Sequence, residues 1–282
     1  MKILITGSEG FIGRNLQGHF RALGIDFLRF DYSNHAQDTV LNGAPFEDKA
    51  REYNPNAIVH LAARTSVPDS ISNPWKYLND NSLGCLNVLE AARAAEVSRV
   101  VIASSGAAKS SESPYGASKA GCERMAKAYW ASYGVEAVSL RFSNVYGPYS
   151  QDKQSVVAKF IKAMMKGEDL NVYGDGSQMR DFVHVVDVCR AILLACKAPA
   201  MDVGGRVFEI GTGVPTSIKS LVELLQEVSG NGFQVNYRKA RHGDVSVAQA
   251  NVQSARDVLG FVARADLREG IEHTYNYFKG GG

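Results

Sequence analysis

The stretch TGSEGFIG, residues 6–13, decides the fold, because it joins an apolar run at Lys2–Thr6 to a helix-like stretch. Its glycines stand at positions 7, 10 and 13. The first two allow a tight turn and a close approach of backbone to a pyrophosphate, and the third lets the helix pack closely on the sheet. The helix N-terminus then faces the phosphates. A glycine pattern alone is weak, but between a strand and a helix it predicts a dinucleotide site rather than a turn without a ligand.

An acidic residue after the second apolar run points to one cofactor. Asp31 follows the run Asp26–Phe30 and lies 18 residues after Gly13. Dinucleotide folds place a carboxylate at about this offset to bind the adenosine ribose. A carboxylate there repels a 2′-phosphate, so the sequence favours NAD over NADP. The alternative is an Asp that only begins the turn Tyr32-Ser33-Asn34.

Short apolar runs alternate with amphipathic stretches through the first half of the chain. Several runs are nearly continuous in Val, Ile and Leu, as in parallel strands covered on both faces. The predicted strands are 2–6, 26–30, 57–62, 99–104 and 136–142. The predicted helices are 11–23, 46–53, 75–95 and 115–133. This alternation predicts an α/β fold with a Rossmann-type doubly wound parallel sheet.

The second half of the chain has a different pattern, with helices separated by short strands. The predicted helices are 155–166, 186–197, 217–229 and 267–278, and the predicted strands include 206–210 and 233–237. We therefore expect a nucleotide-binding domain at residues 1–147, to which later segments return, and a smaller mixed α/β lobe at 148–282. A cleft between them is the expected ligand site.

Composition excludes several classes of function. The chain has 282 residues, is 45% hydrophobic and carries a formal net charge of +2, so neither nucleic acid nor a membrane is an expected partner. The cysteines form no C-x-x-C pair and the histidines no H-x-x-x-H pair, which argues against a metal site and a disulfide framework. No secretory signal precedes the first strand, so we expect a cytoplasmic protein with four buried thiols: Cys85, Cys122, Cys189 and Cys196.

A tyrosine and a lysine four residues apart suggest catalysis. Tyr115 and Lys119 share one face of a predicted helix. A nearby ammonium favours the phenolate, which suits a general acid/base. Ser104 and Ser105 end the preceding strand, where a hydroxyl can hold a substrate oxygen. The alternative is a surface Tyr and Lys on an ordinary helix, but the position after the fourth strand makes the pattern specific.

In this order, the motifs resemble those of the extended short-chain dehydrogenase/reductases, in particular the NAD-dependent epimerase/dehydratase group that acts on nucleotide sugars. The resemblance covers almost the whole chain. Besides the glycines, Asp31 and the Tyr–Lys pair, its landmarks are HLAA at 60–63, Asn81, RFSNVYGP at 141–148, VYGDG at 172–176, RDF at 180–182 and RHGD at 241–244.

The resemblance implies roles in cofactor binding and catalysis. Tyr115 is the implied acid/base, Ser105 holds the reacting hydroxyl, and Lys119 binds the nicotinamide ribose and tunes the tyrosine. For Asn81, a structural role in helix packing is an equal alternative. The implied NAD-binding residues are Gly7, Gly10, Phe11, Ile12, Gly13, Asp31, Leu61, Ala62, Ala63, Asn81, Ser104, Tyr115 and Lys119.

The resemblance also assigns residues to a nucleotide diphosphate sugar, bound mainly by residues 148–282. Arginines suit its phosphates because the planar guanidinium contacts two oxygens at once. For Tyr173, which the family places at the nucleobase, the alternative is a core aromatic. The implied substrate residues are Ser105, Tyr115, Asn144, Asn171, Tyr173, Arg180, Arg241, Asp244 and Ala248.

The residues after Ser105 distinguish between the chemistries of the family. Dehydratases carry an Asp-Glu pair there and decarboxylating members a Glu, whereas this chain has Gly106-Ala107. Elimination of water therefore lacks its catalysts. The remaining reactions are inversion at C4 through a transient 4-keto sugar, which we favour, and reduction of a 4-keto-6-deoxysugar by NAD(P)H. A non-catalytic NAD sensor is a third alternative, but such proteins tend to lose the Tyr or the Lys.

Two features concern the substrate and one the assembly. Ser105 and Tyr115 are only 10 residues apart, shorter than the family pattern, which predicts a more open cleft. Ala248 replaces the bulky residue that bounds the sugar pocket in some relatives, so an N-acetyl group has room; an ordinary strand alanine is the alternative. By resemblance alone, the helices near 75–95 and 115–133 form a homodimer contact.

Overall fold

The computed structural model describes residues 1–31, 39–230, 232–240 and 245–280. The chain divides into two compact units. The first comprises Met1–Phe142, Cys189–Glu209 and Gln253–Phe261. The second comprises Ser143–Val188, Ile210–Val252 and the segment from Val262 onward.

The described residues form the following elements in chain order. The strands are β1 (Lys2–Thr6), β2 (Asp26–Phe30), β3 (Ala57–His60), β4 (Arg99–Ser105), β5 (Glu136–Phe142), β6 (Asn144–Tyr146), β7 (Leu170–Tyr173), β8 (Met179–His184), β9 (Val207–Ile210), β10 (Pro215–Ser217), β11 (Val235–Arg238) and β12 (Val247–Ala248). The helices are α1 (Phe11–Ala22), α2 (Gly43–Tyr53), α3 (Val67–Ser72), α4 (Pro74–Leu78), α5 (Gly84–Ala94), α6 (Pro114–Tyr133), α7 (Val156–Met165), α8 (Val185–Lys197), α9 (Ala200–Val203), α10 (Ile218–Ser229), α11 (Gln253–Leu259) and α12 (Leu267–Lys279).

A six-stranded sheet with the order β2-β1-β3-β4-β5-β9 organises the first unit. The pairings among β1 to β5 are all parallel. The order reverses between β1 and β3, which opens a crevice at the carboxyl ends of these two strands, where doubly wound folds bind ligands. The predicted fold class, an α/β Rossmann-type sheet, is confirmed.

The core of the first unit explains the near-continuous apolar runs. All four residues of β3 are buried, and so are the first four of β4. One face of the sheet packs against α2, α5 and α6, where Leu4, Ile58 and Val100 meet Phe46 and Leu89. A strand covered on both faces needs apolar residues at successive positions, so its sequence does not alternate.

The helix predicted at 75–95 is interrupted. Between α4 and α5 the chain makes a π-helical turn at Asn79–Leu83, and α3, which was not predicted, precedes α4. The buried Asn81 side chain bonds to the backbone of Arg64 and to Ser118 on α6. A π turn inserts one extra residue per turn, which fits the inward orientation of this amide.

The second unit is built around β8. This strand pairs with β10 in antiparallel fashion and with β6 and β12 in parallel, while β7 and β11 form a separate parallel pair. Helices α7, α10 and α12 pack into one apolar core. The run at 206–210, which the sequence placed among the strands of this lobe, instead forms β9 at the edge of the six-stranded sheet.

Two findings concern the chain as a whole. All four cysteines are buried and none forms a disulfide. Among the described residues, no helix combines the length and the apolar character that a membrane span requires.

Candidate active site

The glycine-rich turn lies at the carboxyl end of β1. Gly7 adopts a left-handed backbone conformation with φ of +68°, and its N–H donates to the Phe30 carbonyl at 3.1 Å. A Cβ at this position would lie 2.6 Å from the Ala62 nitrogen, so only glycine fits. A Cβ on Gly13 would collide with the carbonyl oxygens of Gly7 and Ser8. The glycines therefore hold the start of α1 against the ends of β1 and β3.

The same turn has the character of a phosphate cradle. Helix α1 begins after Gly10 and has no acidic residue in its first turn, so no carboxylate within that turn opposes the N-terminal partial charge. The Ser8 hydroxyl is buried and has no hydrogen-bond partner among the described residues. A buried hydroxyl without a partner at the start of a helix fits a pyrophosphate, as the sequence predicts for NAD. Phe11 and Ile12 open the helix at this cradle.

Asp31 ties the end of β2 to the glycine turn. Its carboxylate is largely buried and accepts a hydrogen bond from the Glu9 backbone N–H at 3.0 Å. The carboxylate thus lies next to the turn, at the strand end that dinucleotide folds use for the ribose. Its contact with the ribose remains a prediction.

The end of β3 borders the cradle on the other side. Thr6 Oγ1 and His60 Nδ1 are 2.8 Å apart and fully buried. Burial, with a smaller effect from the Lys119 charge, lowers the pKa of His60 to about 3, so the ring is neutral at physiological pH. The Ala62 N–H reaches Thr6 Oγ1 at 3.4 Å. Residues 61–63, the predicted cofactor wall, are half-buried here.

The Tyr–Lys pair lies on one buried face of α6. Ser113 caps this helix by accepting a hydrogen bond from the Gly116 N–H. Tyr115 is 8% exposed and Lys119 is 4% exposed. The Lys119 ammonium donates to the Ala103 carbonyl of β4 at 2.8 Å, which anchors the helix at the carboxyl end of the sheet. Both side chains therefore lie near the carboxyl end of β4, and their catalytic role remains a prediction.

The short connection between Ser105 and α6 closes through a glycine. After Ser105 the chain makes a single 3₁₀ turn at Gly106–Ala108. A Cβ on Gly116 would lie 2.5 Å from the Ala107 carbonyl oxygen, so glycine lets this turn pack directly on the helix. The Ser105 hydroxyl accepts a hydrogen bond from the Ala107 N–H at 3.2 Å and is only half-buried.

Ser104 and Asn81 have internal partners. The Ser104 hydroxyl donates to Glu123 at 2.6 Å. The Asn81 amide accepts from the Arg64 N–H at 2.8 Å and donates to the Arg64 carbonyl and to Ser118 Oγ. These contacts favour the structural alternative for Asn81 over a cofactor role. For Ser104, contact with the cofactor remains a prediction.

The residues assigned to the nucleotide lie in the second unit. Asn144 donates to the Asp181 carbonyl at 3.4 Å, and Arg180 donates to the Val245 carbonyl at 2.8 Å. Asn171 accepts from Arg238 at 2.9 Å. Ala248 lies opposite Arg180 in the pairing of β12 with β8. Arg241 and Asp244 lie outside the described residues.

Tyr173 is more exposed, and Asp181 is more buried, than their residue types suggest. Tyr173 is 38% exposed, which argues against the core aromatic alternative and leaves its ring accessible to a ligand. Asp181 is fully buried, and its carboxylate accepts hydrogen bonds from Thr212, Gly213 and Ala250. This acid therefore organises the loops of the second unit.

Sequence reasoning missed one group near the candidate catalytic residues. Glu123 follows Lys119 by one further helical turn and is buried with Arg141 of β5. The signal was available, since Tyr115, Lys119 and Glu123 continue the same four-residue spacing. A buried carboxylate on this face was not expected, because acids are seldom buried without a partner.

The fold and the site together define a class. A glycine cradle at a topological switch point, with a buried Tyr–Lys pair two strands away, is the arrangement of a dinucleotide-dependent enzyme of the short-chain dehydrogenase/reductase type. The model of the NAD dependent epimerase/dehydratase family matches residues 3–211. The chain belongs to this family: it is an epimerase of the extended short-chain dehydrogenase/reductase type, and its cofactor is NAD.

Relatives and solved structures agree with this assignment. The chain is 32% identical to a UDP-glucose 4-epimerase of Mycolicibacterium smegmatis, covering 99% of both chains. The structure of UDP-glucose 4-epimerase from Thermotoga maritima with UDP-glucose matches with a TM-score of 0.91 at 30% identity, covering 100% of this chain and 99% of that one. A UDP-N-acetylglucosamine 4-epimerase from Methanobrevibacter ruminantium, in complex with UDP-N-acetylmuramic acid, matches with a TM-score of 0.89 at 28% identity, covering 100% and 99%.

Proposed function

We propose that this enzyme inverts C4 of a UDP-activated hexose, either UDP-glucose and UDP-galactose or their N-acetylated counterparts. The observation that carries the proposal is the Tyr115–Lys119 pair, which is buried on α6. Directly after Ser105, at the end of β4, Gly106 and Ala107 supply no second acid/base group. The names of the similar epimerases support the same reaction.

The chain's own residues manage the proton of the C4 hydroxyl. The Tyr115 phenolate accepts this proton as C4 becomes a ketone, and the Ser105 hydroxyl holds the oxygen in place. Lys119, one helical turn further along α6, is assigned to the nicotinamide ribose, as the resemblance implies. Bound NAD supplies the hydride chemistry at C4. After the 4-keto sugar has turned, Tyr115 returns the proton to the same oxygen, so neither protons nor redox equivalents are consumed.

The second unit binds the nucleotide part in this proposal. Arg180 and Asn144 are assigned to the diphosphate, as is Arg241 by resemblance alone, because guanidinium groups match phosphate oxygens. Asn171 and the exposed Tyr173 contact the base. The division of labour thus assigns NAD to the first unit and the nucleotide to the second.

Assembly and location are inferred from two exposed side chains and from the cysteines. Helix α5 exposes Leu86, and α6 exposes Tyr133; we assign these helices to a homodimer contact, as the family resemblance implies. Four free thiols suit a reducing compartment, which supports a cytoplasmic enzyme.

The substitution Tyr115→Phe tests the catalytic role. Removing the phenolic oxygen lowers turnover of UDP-glucose by about 10²- to 10⁴-fold, the range of general acid–base catalysis, while NAD and UDP binding persist. Tyr129→Phe is the matched control, because Tyr129 lies on the same helix with its hydroxyl on Glu90. Turnover is measured by proton NMR of the sugar. Full activity of Tyr115→Phe contradicts the assignment.

The substitution Ala248→Tyr tests the choice of sugar. The methyl of Ala248, on β12 beside Arg180, leaves room for an N-acetyl group. The bulky variant is expected to lose at least about tenfold in kcat/KM for UDP-N-acetylglucosamine, a penalty typical of pocket overpacking, and to keep its activity on UDP-glucose. Equal losses on both substrates contradict the assignment of Ala248 to the sugar pocket.

A further inference from the structure

A buried carboxylate lies beneath the Tyr–Lys pair and has no part in the proton transfers. Glu123 is 6% exposed. Its Oε1 accepts hydrogen bonds from Ser104 Oγ at 2.6 Å and from Arg141 Nε at 2.7 Å, and its Oε2 accepts from Arg141 Nη2 at 2.6 Å. This two-point contact between guanidinium and carboxylate has a defined geometry.

These contacts fasten α6 to two strands at once. Ser104 of β4 and Arg141 of β5 lie directly opposite each other in the sheet, so a single carboxylate binds the carboxyl ends of both strands. One turn earlier, Lys119 binds the carbonyl of Ala103. Two successive turns of the helix therefore contact two successive residues of β4. This determines how far Tyr115 extends past the strand end that carries Ser105.

A series of ion pairs runs from Glu123 to the short segment between Ser105 and α6. Arg141 Nη1 lies 3.9 Å from Glu209 Oε1, and Glu209 Oε2 lies 2.7 Å from Lys109 Nζ. Lys109 belongs to the segment between Ser105 and Tyr115. The two acids and two bases alternate from α6 to this segment, so each charge has a partner. Among the described residues, removing the Glu123 charge leaves the half-buried Arg141 guanidinium with only its 3.9 Å contact to Glu209.

We propose that Glu123 is a positioning residue that acts through Ser104 and Arg141 to hold Tyr115 and Lys119 in register with Ser105. The inference rests on the proposed epimerase reaction for its kinetic consequence. The Glu123 carboxylate is engaged by Ser104 and Arg141, and the proposal assigns it no contact with the sugar or NAD. Its effect is on the placement of the reacting oxygen, and small misplacements at an active site reduce turnover strongly.

The test compares the Glu123–Arg141 ion pair, which joins α6 to β5, with the Arg99–Glu136 ion pair, which joins β4 to β5. Arg99 and Glu136 join β4 and β5 at their amino ends, with nitrogen–oxygen distances of 3.1 and 2.7 Å, far along the strands from Tyr115. Glu123→Gln is expected to lower kcat on UDP-glucose about tenfold or more with KM within about twofold. Glu136→Gln is expected to leave both constants within about twofold, although both variants lower Tm.

A second pair of variants avoids burying an unpaired charge. Ser104→Ala removes the hydroxyl that binds Glu123. Because Ser104 is also a predicted NAD contact, the NAD retained by the purified variant is measured beside kcat and is expected to equal that of the wild type. Its control is Ser139→Ala on β5, since the Ser139 hydroxyl is fully buried and has no hydrogen-bond partner among the described residues. Ser104→Ala is expected to reduce kcat about threefold or more, because small misplacements at an active site reduce turnover. Ser139→Ala is expected to leave kcat unchanged.

Hydrogen–deuterium exchange gives a readout that does not depend on turnover. In the NAD-loaded protein, Glu123→Gln and Ser104→Ala are expected to raise exchange in residues 114–122, and the two controls are not. The proposal is overturned if Glu123→Gln keeps the wild-type kcat and the wild-type protection of this segment, or if Glu136→Gln reduces both equally. Absence of turnover in the wild type counts against the proposed function alone, because the exchange result then decides the positioning role.

Discussion

At the residue scale, the candidate cofactor site depends on two glycines, which have no side chain to obstruct close backbone contacts. Gly7 turns the chain with a positive φ directly against the backbone of Ala62, and Gly13 lets α1 rest on the carbonyls of that turn. Both positions bring backbone within the distance at which any Cβ would collide. The N–H groups of the turn can then face a pyrophosphate without an intervening side chain.

The substitution Gly13→Ala tests this packing. Its Cβ would overlap the carbonyls of Gly7 and Ser8, so α1 must move, at a cost of about 1–3 kcal/mol, and the cradle opens. We expect the purified variant to carry little or no NAD, as measured by releasing the nucleotide with acid and quantifying it.

Gly18→Ala is the matched control on the same helix. A Cβ at Gly18 meets no atom within 4 Å, and replacing a helical glycine by alanine stabilises by about 0.5–1 kcal/mol. This variant is expected to keep its NAD and to gain in Tm. The packing argument is wrong if Gly13→Ala retains as much NAD as Gly18→Ala does.

Single residues also show which parts of the site were predictable. Tyr115 and Lys119 could be predicted as candidates because their residue types and four-residue spacing are typical of acid/base catalysis in this fold. Glu123 continues that spacing, but its role could not be predicted from the sequence, because the sequence does not show that Arg141 binds its carboxylate. For Asn81, the local sequence left two roles open, and only its contacts with Arg64 and Ser118 favour one.

At the element scale, strands were predicted more accurately than their surroundings. The bounds of β1, β2 and β5 agree with the predicted runs, because strands buried on both faces are marked by continuous apolar residues. The long helix at 75–95 was wrong in its middle, where a π turn accommodates a buried amide. Short strands such as β6 and β10 lack an apolar signal, since tertiary pairing rather than local pattern forms them.

The buried His60 side chain makes the free energy of unfolding depend on pH. His60 of β3 contacts Thr6 of β1, and burial lowers its pKa to about 3, whereas the unfolded value is about 6.5. Between these values the unfolded chain binds more protons, so the free energy of unfolding falls as the pH falls. At about pH 5 this group costs about 2 kcal/mol relative to neutral pH. His184, with a pKa lowered to about 4 by burial, acts in the same direction.

The substitution His60→Asn isolates this contribution. Asn does not titrate and can still bond to Thr6. The loss of unfolding free energy between about pH 7.5 and about pH 5 is expected to be smaller by about 2 kcal/mol in the variant than in the wild type. Urea unfolding at both pH values measures the difference, and identical pH dependence in the two proteins contradicts a neutral buried His60.

At the scale of the whole molecule, the residues predicted to bind NAD and those predicted to bind the nucleotide fall in different units. Every residue predicted to bind NAD lies in the first unit, and the described residues predicted to bind the nucleotide lie in the second. Segments from the second half of the chain, including β9 and α11, nevertheless belong to the first unit. Such returns could not be located from periodicity, because a local pattern carries no information about the partner of a strand.

The most direct test of the proposed reaction incubates the purified protein, without added cofactor, with UDP-glucose, UDP-galactose and their N-acetylated counterparts. Products are followed by proton NMR. The account predicts conversion of at least one sugar to its C4 epimer, with NAD carried on the protein through purification. No conversion of any of them, even after NAD⁺ is added, together with reduction of a 4-keto sugar by NADH, would contradict it and identify a reductase instead.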